Sequence, residues 1–259
     1  MNLHGTSANL RVFTDIDDTW LETARKSNPL DRVAVGALSK SGVPSSYLAS
    51  RHDTLWRVLR AAAASVVPVT ARSAEALARV QLELSGAAIV DFGATVLTAK
   101  GVPDLDWHAH LRTLALPRTD AELFDVLARD VLRAHPRVHV EQRVAGGLPA
   151  FVNFRGTPGM APPLRITVER VLKEHGLRDT VYLHTTDRDV TVLPTIVSKG
   201  AAVEYFVAQY GWTSDVLLGC GDSLSDCSFL TSMDFALLPG GSRALTSLGR
   251  TALLQGELP

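Results

Sequence analysis

Apolar runs of four or five residues recur along this chain, separated by stretches in which apolar positions return at helical spacing. Leu10-Arg-Val-Phe-Thr14, Val66-Val-Pro-Val-Thr70, Ala87-Ala-Ile-Val-Asp91 and Asp215-Val-Leu-Leu-Gly219 are the clearest runs. Each is short enough for a strand and too continuously apolar for one that is half exposed, which predicts a buried parallel sheet. Helical spacing over residues 75–84 and 200–209 predicts the crossovers between strands. Residues 21–65 are mixed, with a strand expected at 33–37, a polar turn at 40–46 and a helix at 53–64. That order reads as a flap followed by a crossover. From about residue 104 to 194 the texture changes, with helices expected at 121–135 and 164–174 and strands at 138–143, 150–155 and 189–193. The Gly/Pro-rich segment 156–163 reads as a loop among them. The chain is therefore expected to be α/β, with a core formed by residues 1–104 and 194–259, including the flap segment 21–65, and a second, α+β domain inserted at 105–193.

Composition narrows the partners. A formal net charge of −1, from 26 basic and 27 acidic residues spread along the chain, gives no field that would hold nucleic acid or an anionic membrane. Small ligands are expected instead. No apolar stretch reaches the roughly 18 residues that span a bilayer. The first ten residues lack a basic region followed by an apolar one, so a cytoplasmic protein is expected. Cys220 and Cys227 are too few for a disulfide framework and read as reduced thiols that serve as small packing residues.

Four short motifs stand at expected strand ends. The first, Asp15-Ile-Asp17-Asp18-Thr19, crowds three carboxylates into four residues, a repulsive arrangement that a divalent cation would relieve. A carboxylate there can attack phosphorus while a second protonates the departing oxygen, which gives Asp15 the part of nucleophile and Asp17 that of acid. A calcium loop is excluded, since Trp20 takes the glycine position and Lys26 that of the bidentate glutamate. The second, Thr70-Ala-Arg72-Ser73, offers a hydroxyl and amides to phosphate oxygens, although Ser73 would equally cap a helix. In the third, Ser198-Lys199-Gly200, Lys199 can neutralise charge on a transferred phosphoryl group. The fourth, Gly219-Cys-Gly221-Asp222-Ser-Leu-Ser-Asp226, sets two carboxylates four residues apart at the start of a helix, a set suited to a hard cation such as Mg²⁺.

Gly221-Asp-Ser223-Leu also looks like the signature of the GDSL esterases. Their serine takes its base from a downstream histidine, and here the last histidine is His184, before the motif. A dinucleotide fingerprint fails as well, because no glycine follows Gly221 at the required spacing.

Taken in order, Asp-x-Asp-x-Thr, Thr70, Lys199-Gly200 and Gly-Asp-x-x-x-Asp resemble the phosphatase branch of the haloacid dehalogenase superfamily, over a span from Arg11 to about Phe235. The resemblance implies a Rossmann-like core, Mg²⁺ and an aspartyl phosphate intermediate. By the same resemblance, Asp15 is nucleophile and metal ligand, and Asp17 is the acid/base whose main-chain carbonyl also ligates. Thr70 and Lys199 hold phosphate, Asp222 is a further ligand, and Asp226 supports the metal site. The insert is similar to a C2-type cap, and Asp17-Asp-Thr-Trp20, Thr70-Ala-Arg-Ser73 and Cys220-Gly-Asp-Ser223 lean toward the sucrose-phosphate phosphatases and their sugar-phosphate relatives. Two departures stand out: Ser225 replaces the usual asparagine, and residues 21–65 are longer than such relatives need. Candidates for holding the leaving alcohol are Arg143, Asn153, Arg155 and Arg188 from the cap and Arg72 from the core. His108 and His110, beside Trp107, read as decoration of one strand or turn face rather than as metal ligands. The expected activity is hydrolysis of a small phosphorylated metabolite, foremost a sugar phosphate. A phosphomutase on the same scaffold and a non-catalytic binding protein are the alternatives.

Overall fold

The computed structural model describes residues 8–114 and 121–254 and divides into two compact units, Met1–Pro103 with Lys199–Pro259, and Asp104–Ser198. Met1 to Ser7, on which most of the reading of the N-terminal segment rests, lie outside the described residues.

The first unit is built on a parallel sheet. Strands β1 (Leu10–Thr14), β5 (Ser65–Pro68), β12 (Val216–Cys220) and β13 (Phe235–Leu237) lie in the order β13-β12-β1-β5, with Thr14 level with Cys220 on one side and Pro68 on the other. Val12, Phe13 and Thr14 are all buried, so both faces of β1 are covered, which is why its sequence is a run rather than an alternation. The 88–90 segment is strand β6 (Ala88–Val90), which forms an antiparallel hairpin with β7 (Thr95–Leu97) and meets the Val69 end of the parallel sheet through a bridge at Ile89.

The flap is a three-stranded antiparallel sheet of β2 (Leu21–Thr23), β3 (Arg32–Leu38) and β4 (Pro44–Ala49), in the order β2-β4-β3. The polar turn expected at 40–46 is shorter than that, because β4 starts at Pro44 and Ser46 pairs with both β2 and β3. The helix expected at 53–64 runs from Ser50 to Ala62 as α1. The helix expected at 75–84 stops after one turn, α2 (Ala74–Leu77). Its remaining backbone groups are taken by the flap: Gln81 N–H donates to Gly36 O at 2.8 Å and Leu38 N–H to Arg79 O at 3.0 Å. A tertiary partner outweighs helical propensity here. Gly36 leaves room at this seam for the Leu21 side chain, since a Cβ there would fall 2.4 Å from a Leu21 methyl and displace it.

The second unit has α3 (Leu105–Leu114), α4 (Ala121–Ala134), β8 (His139–Ala145), β9 (Leu148–Arg155), α5 (Ala161–Glu174), β10 (Val181–Thr185) and β11 (Asp189–Pro194). Its sheet is antiparallel, in the order β10-β11-β9-β8. Val152, Phe154, Val190 and Val192 share a core with Leu127, Val131, Leu164 and Val168 of α4 and α5. By the two-residue period of a strand, Asn153, Arg155, Asp189 and Thr191 point to the opposite, polar face. The loop expected over 156–163 ends early because Pro162 and Pro163 fit the first turn of α5, where no amide partner is needed. His108 and His110 lie on helix α3, not on a strand or turn, and Trp107 and His108 are buried. No helix among the described residues is long and apolar enough to cross a membrane.

Candidate active site

Asp15 continues β1 past its last residue. Its N–H donates to Cys220 O at 2.8 Å, while Val69 N–H reaches Thr14 O at 2.7 Å, so the acidic turn is pinned between two neighbouring strand ends. This is the carboxyl edge of a parallel sheet, where such folds bind ligands. The chain then doubles back: Trp20 and Leu21 N–H both donate to Ile16 O, and Asp18 sits at φ 62°. Trp20 is buried and anchors the turn from below, its indole donating to Thr14 Oγ1 at 2.6 Å.

Lys199 opens helix α6 (Lys199–Gln209) and meets this turn across 184 residues of sequence. Its Nζ lies 2.8 Å from Asp15 Oδ1 and 2.6 Å from Asp226 Oδ1, and all three side chains are buried. Gly200 is needed beside it, because a Cβ there would lie 2.3 Å from Ser228 O of α7 (Cys227–Leu230). Asp226 uses its second oxygen to tie the loop after β12. Oδ2 accepts from Ser223 N at 2.8 Å, Ser223 Oγ at 2.7 Å and Asp222 N at 3.1 Å. Ser225, at the departure noted in the sequence, shares a 2.8 Å hydrogen bond with Ser223 Oγ.

Burial pushes the Asp15 carboxyl well above the usual carboxylate range; Lys199 opposes this, and the neighbouring Asp226 and Asp17 add to it. Burial alone would lower the Lys199 pKa, but Asp15 and Asp226 outweigh it and hold the ammonium above its ordinary value. Asp226 is also buried, yet Lys199 and the Ser223 donors keep it below the ordinary range. Burial pushes Asp222 up to about 6; Arg243 opposes, with its guanidinium 3.5 Å away. Asp15 and Asp226 thus share one buried ammonium, with the buried Asp222 beside them. One oxygen from each of Asp15, Asp222 and Asp226 lies within 4.8 Å of the others, so a dication fits both the charge and the donor set. Asp226 accepts four hydrogen bonds from protein donors. Asp15 accepts from Lys199 at 2.8 Å and Thr19 Oγ1 at 3.5 Å, and Asp222 from Arg243 at 3.5 Å, so Asp15 and Asp222 have more lone pairs to spare. A cavity of about 620 Å³ on the flap side reaches Asp222 and Thr19 and gives that edge access to solvent.

Thr70 is buried at the end of β5, and its Oγ1 accepts from Arg72 N–H at 3.1 Å, leaving the hydroxyl proton to donate. Ser73 does cap α2, accepting from Ala76 N–H at 3.2 Å. Arg72 departs from expectation. Instead of standing ready for a leaving group, it grips Asp17 with two hydrogen bonds, Nε to Oδ2 at 2.7 Å and Nη2 to Oδ1 at 2.6 Å. The Asp17 carboxylate is therefore engaged with an arginine. The sequence carried no sign of this pair beyond the presence of both residues at strand ends.

The remaining candidates lie in the second unit. Asn153 is buried on β9 and accepts from Thr191 Oγ1 at 3.0 Å. Arg155 pairs with Asp189 at 2.7 Å, and Arg188 lies 3.8 Å from the same carboxylate. Arg143 on β8 is 3.4 Å from Glu141. Asp189, missed in the sequence, is the residue on which three of the four candidates converge.

The sequence profile of the family described as sucrose-6F-phosphate phosphohydrolase matches residues 9–237 of this chain. Among solved structures, the sucrose-phosphatase of Synechocystis aligns over 96% of this chain and 99% of its own, with 15% identity and a TM-score of 0.56. The C-terminal domain of the trehalose-6-phosphate phosphatase of C. albicans aligns over 87% of this chain and 73% of its own, with 14% identity and a TM-score of 0.54. A haloacid dehalogenase-like hydrolase from Bacteroides thetaiotaomicron covers 90% and 94% of the two chains, with 13% identity and a TM-score of 0.52. At such identities these likenesses establish a fold, that of the haloacid dehalogenase-type hydrolases. No curated protein matches the chain by sequence. The profile match decides the family: the chain belongs to the sucrose-6F-phosphate phosphohydrolases. It is a phosphatase that hydrolyses phosphate monoesters.

Proposed function

We propose that this protein is a cytoplasmic, Mg²⁺-dependent phosphatase that hydrolyses a sugar phosphate through an aspartyl phosphate on Asp15. The observation that carries the reading is the meeting of Asp15, Lys199 and Asp226 at one strand edge, with Asp222 beside them. A buried lysine and three buried carboxylates are costly to assemble for stability alone. When bound, Mg²⁺ held by Asp15 and Asp222, with the main-chain carbonyl of Asp17, would supply charge neutralisation at the phosphoryl group.

The chain's own groups account for the transfers. An Asp15 carboxylate oxygen attacks phosphorus, the bond from phosphorus to the sugar oxygen breaks, and Asp17 gives that oxygen its proton. Lys199 and the Thr70 hydroxyl hold the phosphoryl oxygens as charge shifts among them. Water then attacks the aspartyl phosphate, Asp17 takes its proton, and the Asp15 oxygen departs, releasing inorganic phosphate. Asp226 takes no part in bond making; it orients Lys199 and the Asp222–Ser223 backbone.

Two observations support a sugar as the leaving alcohol. The Synechocystis sucrose-phosphatase was solved in complex with sucrose and phosphate. The polar face of the second unit's sheet carries Asn153, Thr191, Arg155 and Asp189, a set of donors and acceptors suited to hydroxyl groups. The two unpaired cysteines, Cys220 and Cys227, suit a reducing compartment. The reading is tested by a panel of phosphorylated sugars, polyols, nucleotides and short acids assayed with and without Mg²⁺. Inorganic phosphate release from a sugar phosphate, dependent on Mg²⁺ and without an isomeric sugar phosphate as product, is expected. Accumulation of an isomer would make the enzyme a mutase, and turnover confined to nucleotides or acids would overturn the sugar assignment.

A further inference from the structure

The loop that carries Thr70 and Arg72 is held from outside by a turn with an unusual backbone. Between β6 and β7, Asp91 and Phe92 both adopt left-handed conformations, φ 51° and 59°, before Gly93 at φ 98°. Aspartate tolerates that region, but phenylalanine rarely visits it, and an Asn-Gly pair would turn a hairpin without the strain. Phe92 is also buried, so it has no room to relax. Such strain persists only where surrounding contacts fix it. Here the conformation aims two successive amides at the neighbouring loop: Phe92 N–H donates to Thr70 O at 3.1 Å and Asp91 N–H to Arg72 O at 2.8 Å. From that loop the Arg72 guanidinium extends to both oxygens of Asp17, a carboxylate otherwise half open to solvent.

We propose that the Asp91–Phe92 turn is a positioning element of the phosphatase: its two amides fix the Thr70–Arg72 loop, and Arg72 in turn orients the Asp17 carboxylate for proton transfer. The inference rests on the acid/base reading of Asp17. Arg72 and Phe92 are positioning residues; Asp17 serves both steps, and in kcat/KM, which ends at release of the alcohol, their effect falls on protonation of the departing oxygen.

Leaving-group chemistry isolates that step. A sugar alkoxide leaves only with a proton, whereas p-nitrophenolate leaves without one. The value of kcat/KM is therefore compared on two substrates, p-nitrophenyl phosphate and the sugar phosphate turned over fastest in the panel. Asp17→Asn should show the largest bias against the sugar phosphate. Arg72→Ala should lose ~30-fold or more on the sugar phosphate and no more than ~3-fold on p-nitrophenyl phosphate. Arg72→Lys should recover only part of the loss, since an ammonium cannot grip both oxygens. For the turn, Phe92→Asn and Phe92→Val both remove the ring, but only valine opposes a left-handed backbone. Phe92→Val should show the bias at ~10-fold and Phe92→Asn should stay within ~3-fold on both substrates. If Asp17→Asn shows the bias while Arg72→Ala loses equally on both substrates, Arg72 does not orient Asp17 and the inference fails while the acid/base reading stands. If Arg72→Ala is biased but the two Phe92 variants behave alike, the turn is scaffold only and that part is overturned. Absence of bias in Asp17→Asn itself would remove the acid/base reading and this inference with it.

Discussion

The two units carry ion pairs of opposite character. In the first, Lys199 is 4% exposed between Asp15 and a fully buried Asp226. In the second, Arg155 is 45% exposed against an Asp189 that is 13% exposed, and Arg143, 28% exposed, faces Glu141 at 39%. Solvated pairs of the second kind contribute about 0–1 kcal/mol each and can rearrange around a ligand. A buried cluster cannot rearrange cheaply, because removal of one partner strands the others in a poor dielectric. On the proposed reading, the buried cluster serves chemistry that must not vary and the polar sheet face serves recognition that can.

Substitutions in the two regions should separate accordingly. Asp15→Asn should lower kcat by ~10⁴-fold or more with the fold intact by circular dichroism, because the proposed mechanism passes the phosphoryl group through the Asp15 carboxylate. Lys199→Met should reduce kcat/KM by ~10²–10³-fold and also lower unfolding stability in urea by about 3–5 kcal/mol. A loss of activity without loss of stability would mean that the cluster is less dry than its burial indicates.

Asp222→Asn sharpens the comparison in the other direction. Its folded-state pKa of about 6 is raised by burial, so its contribution to stability is full below the ordinary carboxylate range and is lost as pH rises through 6. At pH 7.5 the metal-free variant should therefore be more stable than the parent, on the order of 1–3 kcal/mol. The increase in melting temperature that Mg²⁺ gives the parent should shrink or vanish in the variant. The smallest effect is expected in the second unit. Arg155→Ala should raise KM for a sugar phosphate by about 3–10-fold, with kcat and p-nitrophenyl phosphate hydrolysis nearly unchanged. A large fall in kcat there would erase the distinction between the two regions.

The core was legible where local pattern and tertiary environment agree. A strand buried on both faces writes itself as an apolar run, and the groups at its end follow directly, which is how Asp15 and Asp222 could be placed at one edge. Lys199 and Thr70 joined them only through the order of the four motifs, since a lone lysine or a helix cap is common at such positions. Features set by contacts between distant segments were not legible. Residues 79–81 keep helical spacing but give their backbone to the flap, and the Arg72–Asp17 pair joins loops 55 residues apart. Strand β10 alternates too weakly to read, being only partly buried, with Tyr182 and His184 on one face. The dual commitment of Asp226 depends on the Ser223 turn, which no spacing encodes.

Which oxygen receives the phosphoryl group decides the mechanism. Rapid mixing of the enzyme with a sugar phosphate and Mg²⁺, followed by a quench with borohydride, converts an aspartyl phosphate to homoserine that peptide mass spectrometry can locate. Homoserine at position 15, present in the parent and absent without substrate, is the expected result. Homoserine at another aspartate, or steady turnover by Asp15→Asn, would contradict it.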